Sequence, residues 1–175
     1  NDPEADPELW IKTCAGTIKT NCERLGMPLP KLILEPGRFI AARAGTAIYR
    51  VGFCKRTVSG TTIVSVDGGM ADNPRHSLYG AKYTALIAGK VREKAAFPTR
   101  IVGKFCESGD TLIDSVKLPA TVRGDVLVIP VSGAYQLSMA SNYNLAPRPT
   151  VLWLEKGRFE LLQSQENPEE NGWFL

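Results

Sequence analysis

The feature that most constrains this chain is a change of rhythm at about residue 44. Before it, the spacing predicts one helix: Asp6 can cap it, Pro7 and Glu8 suit its first turn, and Ile11, Cys14, Ile18, Cys22 and Leu25 recur at helical intervals. Gly26 ends that pattern, and Pro28 and Pro30 prevent its resumption. A three-residue apolar run, Leu32-Ile33-Leu34, reads as a short buried strand that stops in the polar tetrapeptide Glu35-Pro36-Gly37-Arg38. Helix, link, buried strand and charged residues at the strand's carboxyl end make one unit of a β/α barrel, whose chemistry sits at that end of its strands. A short helix over Phe39 to Ala44 closes the unit.

Behind that boundary the periods are those of strands. Ala47 to Lys55 and Thr61 to Val66 read as a pair joined at Ser59-Gly60. Further runs cover Ile101 to Cys106, Val126 to Pro130 and Thr150 to Glu155, the last turning at Lys156-Gly157 into Arg158 to Leu162. The expected fold class is therefore α+β: residues 1–43 form the last unit of a (β/α)8 barrel, and residues 44–175 a mostly antiparallel β-barrel or sandwich domain. A barrel needs eight units, so the reading expects this chain to begin inside a larger protein. Ser164 to Gly172 is polar and acidic and is expected to fray.

Charge and cysteine usage narrow the function classes. The 21 basic and 18 acidic residues leave a net charge of +3, too balanced for a nucleic-acid partner. No apolar run reaches membrane-spanning length, and the first ten residues are acidic rather than signal-like. Cys14, Cys22, Cys54 and Cys106 show neither CxxC spacing nor a paired framework, so a reducing, cytoplasmic setting is expected. His76 is the single histidine, which argues against a metal site and against any Ser/His/Asp triad not centred on it. His76 itself is expected to face solvent.

Five segments are too polar or too glycine-rich for simple strands and turns: EPGR (35–38), VDGGMADNPRHSLYGA (66–81), CESGD (106–110), GAYQLSMASNYN (133–144) and APRP (146–149). In this order they resemble the C-terminal half of the diaminopimelate decarboxylases, members of the alanine-racemase-like class of pyridoxal-phosphate enzymes. The resemblance covers about Leu32 to about Leu162. It implies pyridoxal 5'-phosphate as cofactor, a homodimer whose active site is shared between subunits, and conversion of meso-2,6-diaminopimelate to L-lysine and CO2.

The same resemblance implies roles for single residues. Glu35 is the carboxylate held against the pyridine nitrogen, where charge pairing keeps the ring protonated and a better electron sink. Gly37 lets backbone amides approach the cofactor phosphate, and Arg38 reaches either that phosphate or a substrate carboxylate. Arg75 and Tyr79 bind the distal carboxylate of the substrate, a task suited to a planar guanidinium and an oriented phenol. Glu107 accepts the distal ammonium, and Cys106 is the implied donor of the proton that replaces CO2. Tyr135 contacts both cofactor phosphate and substrate. Asn142 and Tyr143 look structural, satisfying backbone groups where the segment turns.

The Schiff-base lysine of that family belongs to an early barrel strand, and no lysine here has a matching context, so the chain is expected to be inactive alone. Two other readings stay open. One is a related decarboxylase acting on ornithine, arginine or carboxynorspermidine, which would not require the Arg75 clamp. The other is a non-catalytic β-domain partner or pseudoenzyme, for which the missing lysine speaks and the seven-residue constellation does not.

Overall fold

The structure, a computed structural model, describes residues 6–170. The acidic N-terminal residues 1–5 and the last five residues lie outside that description. The chain divides into two compact units, Asn1–Ile40 and Ala41–Leu175.

In the first unit, α1 spans Pro7–Leu25 as the periodicity predicts. Asp6 is the N-cap: its carboxylate accepts the Leu9 amide, and a proline occupies the first turn. Gly26 ends the helix in the left-handed region (φ 62°), which a residue without Cβ adopts at little cost. Trp10 meets Phe39 edge-on with ring centroids 5.7 Å apart. The expected strand at Leu32–Leu34 is absent: these residues have no regular structure, and all three side chains are exposed. A three-residue strand exists only through its neighbours, and no other strand is described in this unit to take its amides and carbonyls. The closing helix starts earlier than expected, as α2 (Gly37–Ala41), and a 3-10 turn over Ala42–Ala44 follows.

The second unit is built on a six-stranded mixed sheet and a separate hairpin. The large sheet contains β1 (Thr46–Arg56), β2 (Thr62–Val66), β3 (Leu86–Ile87), β4 (Phe97–Val102), β5 (Thr111–Leu118) and β6 (Val126–Pro130) in the order β3-β6-β1-β2-β4-β5. Every neighbouring pair is antiparallel except β2 and β4. The hairpin joins β7 (Val151–Glu155) to β8 (Arg158–Gln163) through Lys156 and Gly157, both at positive φ.

Alternation along the strands sends one set of side chains into a single core. Val51, Val64, Ile87, Ile101, Leu112, Leu127 and Ile129 are each at most 1% exposed there. Burial on that scale contributes roughly 1.5–3 kcal/mol per side chain. The sheet breaks register between Val51 and Phe53, where the Phe53 amide donates to the Ser65 hydroxyl.

Two strand expectations need correction. The run read as Ile101 to Cys106 is displaced: β4 begins at Phe97 and ends at Val102, and residues 103–110 turn back on themselves. The sequence reading also omitted β5, whose apolar face is interrupted by Asp114 and Lys117. That strand lies at the sheet's edge, where exposed charges discourage pairing with another chain. The tail does not simply fray, since the Glu166 carboxylate accepts from Asn142 Nδ2 (2.5 Å) and from the Arg148 amide (2.9 Å).

Candidate functional site

Most of the residues singled out in the second unit sit on two short segments off the sheet, tied together. The first leaves β2 through Asp67-Gly68-Gly69 and ends in α3 (Arg75–Tyr79), a five-residue helix stopped by Gly80 at φ 60°. The second is the turn 103–110 between β4 and β5. Asp110, only 4% exposed, organises both. Its carboxylate accepts the Met70 and Phe105 amides, each at 2.7 Å, so one side chain fixes the glycine-rich loop and the start of the Cys106-Glu107 turn. Gly69 and Gly103 lie so close to that carboxylate that a Cβ on either would overlap it. Ser77 adds a second tie, its hydroxyl donating to the Gly109 carbonyl at 2.7 Å.

Arg75 stands between two phenols. Its guanidinium carbon lies 5.5 Å from the ring centroid of Tyr79 and 5.5 Å from that of Tyr135. Both tyrosines are exposed, whereas Arg75 Nε is buried without a hydrogen-bond partner. Tyr135 holds a left-handed backbone (φ 61°), a strained conformation for a residue with a side chain. The segment leading to it is packed backbone to backbone: the Gly133 amide donates to the Ala42 carbonyl, and a Cβ at Gly133 would overlap the Ala41 carbonyl oxygen. Beside this group Asn73 and Gln136 are buried, and Asn73 Nδ2, Asn73 Oδ1 and Gln136 Nε2 all lack partners. The sequence reading passed over both amides, because nothing in their spacing distinguishes them from loop residues.

Cys106 and Glu107 are exposed at the tip of their turn. Glu107 Oε1 accepts from the Gly109 amide and the Ser108 hydroxyl, both at 3.2 Å, and Oε2 from the Tyr143 hydroxyl at 3.1 Å. The Gly109 amide first, and then the Tyr143 and Ser108 hydroxyls, hold its carboxyl below the usual range. In return the Tyr143 phenol is raised. Tyr143 therefore serves the Glu107 carboxylate, not a backbone group, and its ring meets Phe105 edge-on at 5.7 Å. Asn142 does satisfy a backbone group, donating to the Ala146 carbonyl as well as to Glu166. His76 does not face solvent: its side chain is 15% exposed, with Nδ1 3.1 Å from the Ala81 carbonyl and Nε2 3.2 Å from Asp114 Oδ2.

A cavity of about 190 Å³ opens nearby, lined among others by Tyr49, Asp72, Lys104, Phe105 and Arg148. The sequence segment 146–149 contributes Pro147, Arg148 and Pro149 to its wall. At its floor the Tyr49 hydroxyl donates to Asp72 at 2.5 Å, and burial pushes both groups above their usual ranges. Among the described residues there is no cluster of His, Cys, Asp or Glu able to hold a metal ion, and no helix long and apolar enough to cross a membrane.

Glu35, Gly37 and Arg38 belong to the first unit. Glu35 and Arg38 are exposed, and the Gly37 amide donates to the Glu35 carbonyl at 2.8 Å. Within the first unit, Glu35 and Arg38 are a carboxylate and a guanidinium of the kinds that a pyridinium and a phosphate take.

Residues 38–133 match the pyridoxal-dependent decarboxylase, C-terminal sheet domain, and the chain belongs to that family. Within it, the chain is similar to diaminopimelate decarboxylases. It is 40% identical over 166 residues to the diaminopimelate decarboxylase of Synechocystis, covering 95% of this chain and 35% of that protein. A crystal structure of a diaminopimelate decarboxylase superposes with a TM-score of 0.81 at 32% identity, over 98% of this chain and 43% of that one. The Helicobacter pylori enzyme complexed with L-lysine gives a TM-score of 0.73 at 34% identity, over 87% of this chain and 37% of that one. The chain thus spans little more than a third of the length of the curated relatives it matches.

Proposed function

We propose that the protein carrying this chain is a pyridoxal-phosphate-dependent decarboxylase that removes CO2 from the D end of meso-2,6-diaminopimelate and releases L-lysine. The observation that carries this reading is the arrangement around Arg75: a guanidinium between two exposed phenols, with a buried N–H still lacking an acceptor, on a helix tied by Ser77 to the turn of Cys106 and Glu107. The substrate has two amino-acid ends that differ only in hand. An enzyme that decarboxylates one of them must hold the other by both its charges. Arg75 with Tyr79 takes the distal carboxylate, and Glu107, kept ionised by its three donors, takes the distal ammonium.

When bound, the cofactor supplies the electron sink for loss of CO2. Glu35 would hold the proton on its ring nitrogen, Tyr135 and the Gly37 turn would hold its phosphate, and Arg38 would reach that phosphate or a substrate carboxylate. Cys106, exposed beside Glu107, delivers the proton that replaces CO2 at the reacting carbon. On this reading residues 1–43 close the cofactor-binding barrel, and two copies of the protein complete each other's sites in the cytoplasm, where free cysteines persist.

Substrate profiling tests it. Arg75→Ala in the full-length protein should raise KM for meso-diaminopimelate on the order of a hundredfold, the scale of losing a charge-assisted pair. Unchanged selectivity against ornithine and arginine in that variant would remove the clamp and favour a diamine-forming decarboxylase.

A further inference from the structure

The side chain following Arg75 belongs to none of the roles assigned so far, yet its contacts are specific. His76 Nδ1 lies 3.1 Å from the carbonyl oxygen of Ala81, and Nε2 lies 3.2 Å from Oδ2 of Asp114 on β5. Both partners are acceptors, so both contacts are hydrogen bonds together only when each ring nitrogen carries a proton. The ring then makes two different joints at once. Through Ala81 it closes the C-terminal end of α3, reinforcing the Gly80 cap, where the Gly80 amide already donates to the His76 carbonyl at 2.8 Å. Through Asp114 it fastens the helix to the edge strand of the sheet.

Arg100 on β4 also reaches this joint. Its Nη2 stands 3.7 Å from Asp114 Oδ1 and donates to the Thr111 hydroxyl at 3.0 Å, which holds the Asp114 carboxylate on the strand without taking the oxygen that His76 uses. On the opposite side, Ser77 ties α3 to the 103–110 turn. A helix of five residues is too short to be stable alone, so its placement depends on such anchors.

We infer that His76 is a positioning residue for substrate selection: bridged between Ala81 and Asp114, it sets the angle of α3 and so aims Arg75 at the distal carboxylate. The inference rests on the proposed function and adds a residue to it. His76 touches no substrate. It acts only on ligands that carry the carboxylate Arg75 binds.

That restriction supplies the test. In the full-length holoenzyme, binding of L-lysine and of cadaverine, the diamine without the carboxylate, is measured by calorimetry for the parent and for Arg75→Ala, His76→Ala, His76→Gln and Asp114→Asn. The expected result is that His76→Ala and Asp114→Asn each weaken L-lysine roughly three- to tenfold and leave cadaverine unchanged. His76→Gln, which keeps one donor, should recover part of the loss. The double variant of His76→Ala and Asp114→Asn should be no worse than His76→Ala alone, because the Asp114 joint is already lost with the ring. In turnover, His76→Ala should raise KM with kcat nearly constant. Should His76→Ala fail to fold, Asp114→Asn alters the partner at an exposed position and decides the matter alone. Equal weakening of both ligands, or no weakening while Arg75→Ala loses L-lysine, overturns the inference. If Arg75→Ala itself binds L-lysine normally, it is the proposed function that fails.

Discussion

At the scale of single residues, Asp110 and Gly133 hold the site together while touching none of the groups assigned to substrate. Removing the Asp110 carboxylate leaves the half-buried Met70 and Phe105 amides without their acceptor, at about 1–3 kcal/mol for each donor. Asp110→Ala is therefore expected to lower the denaturant midpoint markedly. Gly133→Ala drives a methyl group into the Ala41 carbonyl oxygen, an overpacking that costs on the order of 1–3 kcal/mol. Equilibrium urea unfolding of the two variants checks both values. Asp110 was not legible as structural in the sequence. Asp110 reads as the end of a polar pentapeptide, and its grip on amides forty and five positions away is a tertiary fact. Arg75, Tyr79, Cys106, Glu107 and Tyr135 were singled out through the motifs that resemble the family, and the structure brings Arg75 beside Tyr79 and Tyr135. The contribution of Tyr143 was not legible, since a half-buried tyrosine in a turn gives no sign of which carboxylate it will meet.

At the scale of elements, the sequence spoke clearly wherever local chemistry decides. The cap and stop of α1, the Lys156-Gly157 turn and the strands β1, β2 and β6 follow from residues within a few positions of each other. It misled where a neighbour decides. Leu32–Leu34 has strand composition but no pairing partner within its unit, and β5 has a strand's position but charges along its face. The tail segment beyond β8 is likewise set by one carboxylate, Glu166. The Arg148 amide foremost, and with it the Asn142 side chain, hold that carboxyl below its usual range. A group with a depressed value in the folded protein adds stability above its unfolded value and loses it as pH falls through the folded one. Thermal unfolding followed from neutral to acid pH should therefore show a steeper acid loss in the parent than in Glu166→Gln. Parallel curves would mean that this tie does not hold the tail.

At the scale of the whole molecule, the proposed function has two requirements, a carboxylate clamp on α3 and a site completed by two subunits. Complementation tests the second requirement. Arg38→Ala and Cys106→Ala variants, each inactive, should regain about a quarter of parental activity when mixed and reassembled, since half the dimers then carry one intact site of two. No recovery would place all the groups in one subunit. The central claim, that Arg75 and Glu107 together grip the intact amino-acid end of the substrate, is tested most directly by a crystal structure of the holoenzyme with L-lysine. The expected result is the α-carboxylate of lysine on the Arg75 guanidinium and its α-ammonium on Glu107. A lysine whose α-carboxylate and α-ammonium meet other side chains, with Arg75 and Glu107 both facing away, would contradict it.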